Sequence, residues 1–156
     1  MAGIYIHIPF CKSKCSYCDF FSATDYNQQI ELLEAMKKEL FLQKEYLKKE
    51  LVSTIYFGGG TPSTLSAENI LDIINSINTH FQLAENVEIT LEANPDDLNI
   101  SYLQQLRKNG INRLSIGIQR FDNEQLTAVR LRHTAETADR AIEEAQTCRF
   151  VNISVE

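Results

Sequence analysis

The stretch GIYIHIPFCKSKCSYCDFF, residues 3–21, joins an alternating apolar run directly to a set of closely spaced cysteines. Isoleucine occupies positions 4, 6 and 8, which is the period of a β-strand with one buried face. Three thiols follow in the loop after it: Cys11, Cys15 and Cys18. Thiolates at such spacing suit soft metals, meaning zinc or an iron–sulfur cluster. The start of the chain therefore predicts a strand that carries a metal-binding loop at its carboxyl end.

Four later segments repeat the strand period, and helical patterns lie between them. The predicted strands are 53–60, 86–95, 113–121 and 150–156. The first helix is predicted from Asp25 to Leu51, with an apolar stripe comprising Ile30, Leu33, Leu40, Leu47 and Leu51. Later helices are predicted after three capping residues, Ser66, Asp122 and Thr134, and another helix is predicted from about Asn99 to a stop at Gly110. Such alternation predicts an α/β fold with a parallel sheet and right-handed crossovers.

Composition limits the class of protein. The 156 residues are 44% hydrophobic, which suits one domain, or part of one. The net charge is −6 and the 15 Lys and Arg residues form no basic stripe, so we expect no nucleic-acid partner. No apolar run approaches the roughly 20 residues that cross a bilayer, so membrane contact is expected only through a partner. We predict a cytoplasmic protein, in which close-set thiols bind a metal or do redox chemistry rather than form structural disulfides.

Unusual residues cluster at the predicted strand ends. In parallel α/β folds, the loops after the carboxyl ends of the strands meet at one face. The cysteines follow strand one. Glycines and Thr61 follow strand two, Glu92 and Asn94 end strand three, and Gln119 ends strand four. Strand parity places Glu92 opposite the aliphatic face, so we expect it to face the interior of a barrel-like sheet. All four groups are therefore predicted to share one site.

Each group also has a plainer interpretation. The glycines of FGGGTP, residues 57–62, could simply end a strand, although their exposed backbone suits a zwitterion such as an amino acid. Glu92 could be a solvated carboxylate and Gln119 a loop amide. A structural zinc site needs four protein ligands, and His7 and Cys148 are poor fourth candidates. Three thiols would instead leave one iron of a four-iron cluster open to a ligand.

Taken in this order, the motifs resemble the radical SAM superfamily. Within it, the segments YIHIPFCKSKCSYCDFF, YFGGGTPSTLS, LEANPDD and GINRLSIGIQRF resemble the oxygen-independent coproporphyrinogen III oxidases, and most closely their HemW-like haem-chaperone relatives. The resemblance spans essentially the whole chain. It implies a partial (β/α)6 TIM-like barrel, of which this chain would supply about five strands. It also implies that residues 1–156 are the N-terminal part of one core domain, with the final strands and a C-terminal domain absent.

The resemblance also implies cofactors and partners. Cys11, Cys15 and Cys18 would hold a 4Fe–4S cluster whose fourth iron binds S-adenosylmethionine. Six positions match those that line the S-adenosylmethionine site: Tyr5, Gly59, Gly60, Thr61, Glu92 and Gln119. Reduction would cleave the sulfonium to methionine and a 5′-deoxyadenosyl radical. The implied partners are haem or a porphyrin, a haem-acceptor protein, and an electron donor such as flavodoxin or ferredoxin.

Departures from the pattern refine the function. The oxidases usually carry a cysteine where this chain has Phe20, which favours haem binding and delivery over porphyrinogen decarboxylation. Leu131 stands where an arginine is expected, and Arg130 or Arg132 could replace it. Glu156 stands about where the family has an aspartate. The pattern predicts that His133 is exposed, so it and His80 are candidate haem ligands, although a lone histidine at such a position is more often a cap or surface residue. The alternatives are a coproporphyrinogen III dehydrogenase and a zinc-stabilised binding module.

Overall fold

The computed structural model describes residues 1–16, 18, 19 and 21–156. Five parallel strands form one sheet in sequential order: β1 Ala2–Ile8, β2 Val52–Gly59, β3 Leu83–Ala93, β4 Arg113–Ile116 and β5 Asn152–Val155. The α-helices are α1 Gln29–Leu42, α2 Ala67–His80, α3 Ile100–Lys108, α4 Asn123–Ala128 and α5 Ala135–Thr147. Sequential order with a helical segment in every crossover is the arrangement of a TIM-like barrel. The predicted α/β fold is confirmed.

The two faces of the sheet differ in chemistry. One face is aliphatic and packs under the helices, as the fully buried Ile55 and Phe57 of β2 illustrate. The other face is polar, and its side chains align across the strands. Glu92 on β3 lies beside Ser115 on β4, which lies beside Ser154 on β5. Apolar burial therefore holds the sheet together from one side and leaves the other side for polar groups.

Three helices begin at predicted capping residues, and a fourth begins at Asn99, the predicted helix start, which also caps its helix. Ser66, Asn99, Asp122 and Thr134 each accept a hydrogen bond from the backbone N–H three residues later. Each bond satisfies one of the backbone donors left unpaired at a helix start. Short 3₁₀ turns, Pro62–Thr64 and Pro95–Asp97, follow β2 and β3. They hold the loops at the carboxyl ends of these strands.

The prediction of the first helix was too long. Helix α1 ends at Leu42, and Ile30 and Leu51 are exposed rather than buried. The chain must reverse before it enters β2, and Lys48 and Lys49 make this reversal with left-handed φ values of 47° and 68°. A helix that ran to Leu51 would leave no residues for the turn.

The prediction of the fourth strand was also too long, because β4 ends at Ile116. The Gly117 N–H donates to the Ala93 carbonyl at 2.9 Å, and the Ile118 N–H donates to the Glu156 carbonyl at 3.1 Å. The chain therefore bends to bond to both neighbouring segments. Gln119 then adopts a φ of 67°, which extended structure does not allow.

Within the described ranges, every helix is too short or too polar to span a lipid bilayer.

Candidate functional site

A cavity of about 270 Å³ opens at the carboxyl ends of the strands. It is lined by all nine residues that the sequence singled out: Tyr5, Cys11, Cys15, Cys18, Gly59, Gly60, Thr61, Glu92 and Gln119. They come from five separate segments of the chain, which only the parallel sheet brings together. The structure thus places the predicted residues in one space.

The cysteine loop is closed at its base by a short parallel bridge between Phe10 and Ala23. The Cys11 N–H donates to the Ala23 carbonyl at 3.0 Å, and the Ala23 N–H donates to the Pro9 carbonyl at 2.7 Å. The loop is therefore anchored at its base. None of the four cysteines, all within the described part of the chain, forms a disulfide.

The second strand meets this loop through glycine. The Gly60 N–H donates to the Ile8 carbonyl and the Thr61 N–H to the Phe10 carbonyl, both at 2.8 Å. A Cβ on Gly60 would lie 2.8 Å from the Phe10 carbonyl oxygen and 2.9 Å from the Cys11 sulfur. Only glycine therefore allows such a close approach to the thiol.

The neighbouring Gly59 has a φ of 116°, in the region that favours glycine. This conformation turns the chain out of β2, and the Gly59 N–H donates to the Glu92 carboxylate at 3.1 Å. The glycine run is therefore more than a strand terminator, since its backbone contacts both the thiol loop and the carboxylate.

Glu92 lies half-buried in the cavity, as strand parity predicted. Its carboxylate accepts hydrogen bonds from the Tyr56 hydroxyl at 2.8 Å and from the Gly59 N–H. Burial raises the pKa of Glu92, and these two hydrogen bonds partly oppose the rise. Burial, together with the Glu92 carboxylate, raises the pKa of Tyr56 to about 12, so Tyr56 remains a hydrogen-bond donor at neutral pH.

Gln119 reaches the cavity from the bend after β4. Its N–H donates to the Glu156 carbonyl at 2.6 Å. The Glu156 side chain also lines the cavity and accepts a hydrogen bond from Ser115 Oγ at 2.5 Å. Gln119 therefore enters the site from a turn, and the prediction that it ends the fourth strand was wrong.

The chain has Leu131 where an arginine is expected, and the arginines on either side of it lie in different surroundings. Arg132 lines the cavity beside Leu131, whereas Arg130 is exposed outside the residues that line it. Arg132 already pairs with the carboxylates of Asp97 at 3.5 Å and Asp96 at 3.7 Å. Of the two candidates, only Arg132 thus lies at the site. The prediction that rests on Phe20 falls outside the described residues.

The remaining histidines and the fourth cysteine lie elsewhere. His7 is exposed on the polar face and contacts the Tyr5 hydroxyl at 3.3 Å. The Cys148 thiol lies 3.8 Å from the Ile100 carbonyl, away from the cavity. The expectation that His133 is exposed was wrong: it is 3% exposed, and its Nε2 lies 2.8 Å from the Ile118 carbonyl. It anchors the bend that carries Gln119.

The donor set favours a cluster over a single ion. Among the described residues, no group of three or more His, Cys, Asp or Glu side chains is placed to hold one metal ion. A zinc site needs its ligands around one point, whereas an iron–sulfur cluster holds each cysteine on a different iron. The buried hydroxyls of Ser13 and Ser22, which line the cavity, have no hydrogen-bond partner within the described chain. These groups fit a polar occupant beside the thiols.

Comparison with known proteins agrees with this arrangement. A model of the Radical SAM superfamily matches residues 5–155. The chain belongs to the radical SAM superfamily. Membership implies a 4Fe–4S cluster and S-adenosylmethionine.

Similar sequences include proteins named Heme chaperone HemW. The one from Bacillus subtilis (strain 168) is 35% identical over 158 residues, which cover 100% of this chain and 42% of that protein. The one from Escherichia coli (strain K12) is 35% identical over 141 residues, which cover 89% of this chain and 37% of that protein. The chain thus spans about two fifths of the length of these relatives.

Solved structures share the fold. Coproporphyrinogen III oxidase (HemN) from Escherichia coli matches with a TM-score of 0.90 and 28% identity, over 98% of this chain and 36% of that one. The structure described as anSMEcpe with bound AdoMet matches with a TM-score of 0.68 and 18% identity, over 98% of this chain and 42% of that one, a likeness of fold alone. The predicted radical SAM type of partial barrel is confirmed.

Several residues of the cavity escaped the sequence analysis. Ser115 could have been found, because it alternates with Leu114 and Ile116 and so belongs to the polar face. Asn94 was noted only as part of a strand end. Ser13 and Ser22 carry no signal in the sequence, because their burial depends on how the loop folds.

Proposed function

We propose that Cys11, Cys15 and Cys18 hold a 4Fe–4S cluster beside a site for S-adenosylmethionine. One observation supports this most: nine residues chosen from the sequence line one cavity at the carboxyl ends of the strands. A group that bound at only one of these loops would not require the other four segments to converge. Three thiolates leave one iron without a protein ligand, and that iron would take the amino and carboxylate groups of the cofactor.

The other residues of the cavity would bind and orient this cofactor. The Glu92 side-chain oxygens would accept hydrogen bonds from hydroxyl or ammonium groups. The Gly59 and Gly60 backbone would allow its close approach, and Tyr5 and Gln119 would bound the space on either side. When bound, the cluster and S-adenosylmethionine supply one-electron cleavage of a sulfonium and hydrogen abstraction. The chain itself would position these groups and exclude water.

Anaerobic reconstitution tests the cofactor site. We expect the full-length protein to bind four iron atoms per chain and its reduced cluster to change its electron paramagnetic resonance spectrum when S-adenosylmethionine is added. Cys15→Ala should abolish the cluster. Cys148→Ala, a matched change outside the cavity, should leave it intact. A wild-type protein without iron, or a spectrum that does not change when S-adenosylmethionine is added, would contradict the proposal.

We further propose that the whole protein is a cytoplasmic haem chaperone, of which residues 1–156 are the N-terminal part of the core domain. The relatives named Heme chaperone HemW support this, as does Phe20 at the position where the oxidases usually carry cysteine. Haem would be bound and passed to an acceptor protein, and flavodoxin or ferredoxin would reduce the cluster. Nucleic acid would be no partner, and any membrane contact would come through the acceptor.

Coproporphyrinogen III dehydrogenase is the second candidate, supported by the similarity to the oxidase from Escherichia coli. The two functions separate in one experiment. Full-length protein is supplied with coproporphyrinogen III, S-adenosylmethionine and a reductant without oxygen, and in parallel with haem. Stoichiometric haem binding without protoporphyrinogen formation is the expected result. Catalytic formation of protoporphyrinogen would instead favour the dehydrogenase over the haem chaperone. Zinc in place of iron and sulfide would instead favour the binding module.

A further inference from the structure

Asp97, at the end of the 3₁₀ turn after β3, has one of the most deeply buried carboxylates of the described chain. Its side chain is 1% exposed. Burial of an ionised carboxylate is costly unless charged and polar partners surround it. Asp97 has three such partners, and each of them belongs to a different segment of the chain.

The first partner is Lys12, between two of the cysteines. Lys12 Nζ donates to Asp97 Oδ1 at 2.5 Å. The second is Ser63, in the 3₁₀ turn that follows the glycines, whose hydroxyl donates to Asp97 Oδ2 at 2.7 Å. Ser63 Oγ in turn accepts from the Asn94 N–H at 3.1 Å. The third is Arg132, whose guanidinium lies 3.5 Å from the same carboxylate.

These contacts join the loops that surround the cavity. Lys12 belongs to the cysteine loop, Ser63 to the loop after β2, and Arg132 to the segment after α4. Asn94, Arg132 and the neighbours of Lys12 line the cavity itself. Lys12 is 49% exposed, so without Asp97 its side chain would extend into solvent. The buried carboxylate therefore supplies a reason for the cysteine loop to stay in place without a ligand.

We propose that Asp97 is a positioning residue, which holds Lys12 and thereby fixes the cysteine loop over the cavity before any cofactor binds. The purpose of this role rests on the proposed function. The role itself is inferred from the contacts of Asp97 alone. Preorganisation of a loop removes the entropy cost of ordering it on binding. Asp97 itself lies outside the nine cavity residues identified from the sequence.

Hydrogen exchange of the cofactor-free, full-length protein tests whether Asp97 and Lys12 hold the cysteine loop in place. Asp97→Asn and Lys12→Met should each speed exchange at the amides of residues 12–16 by about tenfold or more, while the core of β2 stays protected. In this loop the double variant should match Asp97→Asn, because Lys12→Met then removes a contact that is already lost. Asp96→Asn is the matched control, since Asp96 contacts Arg132 but not Lys12. It should leave exchange in the loop unchanged.

Lys12→Met keeps the test decisive if Asp97→Asn does not fold, because Lys12 is half-exposed and Asp97 keeps Ser63 and Arg132 as partners in that variant. Unchanged loop exchange in Lys12→Met would overturn the proposal. So would faster exchange throughout the core in that variant, which would indicate a role in global stability.

A second readout applies to the reconstituted protein. Removal of a negative charge near a cluster raises its reduction potential, and removal of a positive charge lowers it. Asp97→Asn should therefore raise the midpoint potential, and Lys12→Met should lower it. If only the loss of their shared contact mattered, both variants would shift the potential in the same direction. If wild-type protein binds no iron, the proposed function fails, while the exchange result still decides the role of Asp97.

Discussion

The Thr61 hydroxyl donates a hydrogen bond to the sulfur of Cys11, with 3.4 Å between Oγ1 and Sγ. Cys11 is buried, so few water molecules compete for this sulfur. The last residue of the glycine run therefore acts directly on a proposed cluster ligand. A hydrogen-bond donor at a thiolate stabilises the more negative, reduced state of an iron–sulfur cluster.

Thr61→Val should therefore lower the midpoint potential of the cluster, because valine keeps the shape of threonine and removes the donor. The measurement is a redox titration followed by electron paramagnetic resonance. Thr61→Ser, which keeps the hydroxyl, should retain the wild-type potential. Equal potentials in the valine variant and the wild type would show that this contact does not influence the cluster.

Gly60→Ala should lower the iron content after reconstitution. The new Cβ would contact the Phe10 carbonyl oxygen at 2.8 Å and the Cys11 sulfur at 2.9 Å, so the loop or β2 must move. We expect a loss of about 1–3 kcal/mol in the free energy of unfolding. Gly117→Ala is the control, because its Cβ would meet nothing nearer than the Gln119 amide at 3.5 Å. Full iron binding by Gly60→Ala would contradict the close packing.

Glu92→Gln should stabilise the cofactor-free protein at neutral pH while weakening S-adenosylmethionine binding. Burial raises the pKa of Glu92 above its ordinary value of 4.5, so the folded state binds its proton more readily than the unfolded state. The wild type therefore loses stability as the pH rises from 4.5 through the pKa of the folded state. Above that folded-state pKa, the full cost of burying the ionised carboxylate remains.

We expect a rise in melting temperature of roughly 2 °C at pH 7, since partial solvent exposure screens the penalty. The difference should shrink as the pH falls well below 4.5, because the carboxyl then becomes protonated in both states. Glu85→Gln, an exposed change on the same strand, serves as the control. A gain that persists unchanged in acid would point to a cause other than charge.

His133→Ala should cost about 1–3 kcal/mol of stability, because it removes a buried ring and leaves the Ile118 carbonyl with the Arg120 N–H as its remaining donor. The bend that carries Gln119 should loosen, and the affinity for S-adenosylmethionine should fall with it. Urea denaturation and calorimetric titration measure the two effects. Haem binding should stay unchanged, because the ring is buried. His80→Ala, at the end of α2, should cost less than about 1 kcal/mol. Loss of haem binding in His133→Ala would instead support His133 as a haem ligand.

The sequence predicted what depends on period and on backbone capping. Strand parity was sufficient to place Glu92 on the polar face, and the caps at Ser66 and Thr134 followed from local hydrogen bonding. The bend at Gln119 could not be predicted in this way, because it depends on bonds to Glu156, which lies far along the chain. The burial of His133 arises from similarly distant contacts.

Asp97 illustrates the limit most clearly. In the sequence it is one of two adjacent acidic residues after a proline, a pattern typical of a solvated turn. Its partners Lys12 and Ser63 are 85 and 34 positions away. Only the folded sheet brings the three together, so burial separates Asp97 from its exposed neighbour Asp96.

The division of the sheet into an aliphatic and a polar face has a consequence for evolution. Substitutions on the polar face remove little apolar burial, so descendants of one ancestor could acquire new substrates there while their folding remained largely unaffected. The lining of the barrel can therefore change while the apolar layer beneath the helices maintains the fold.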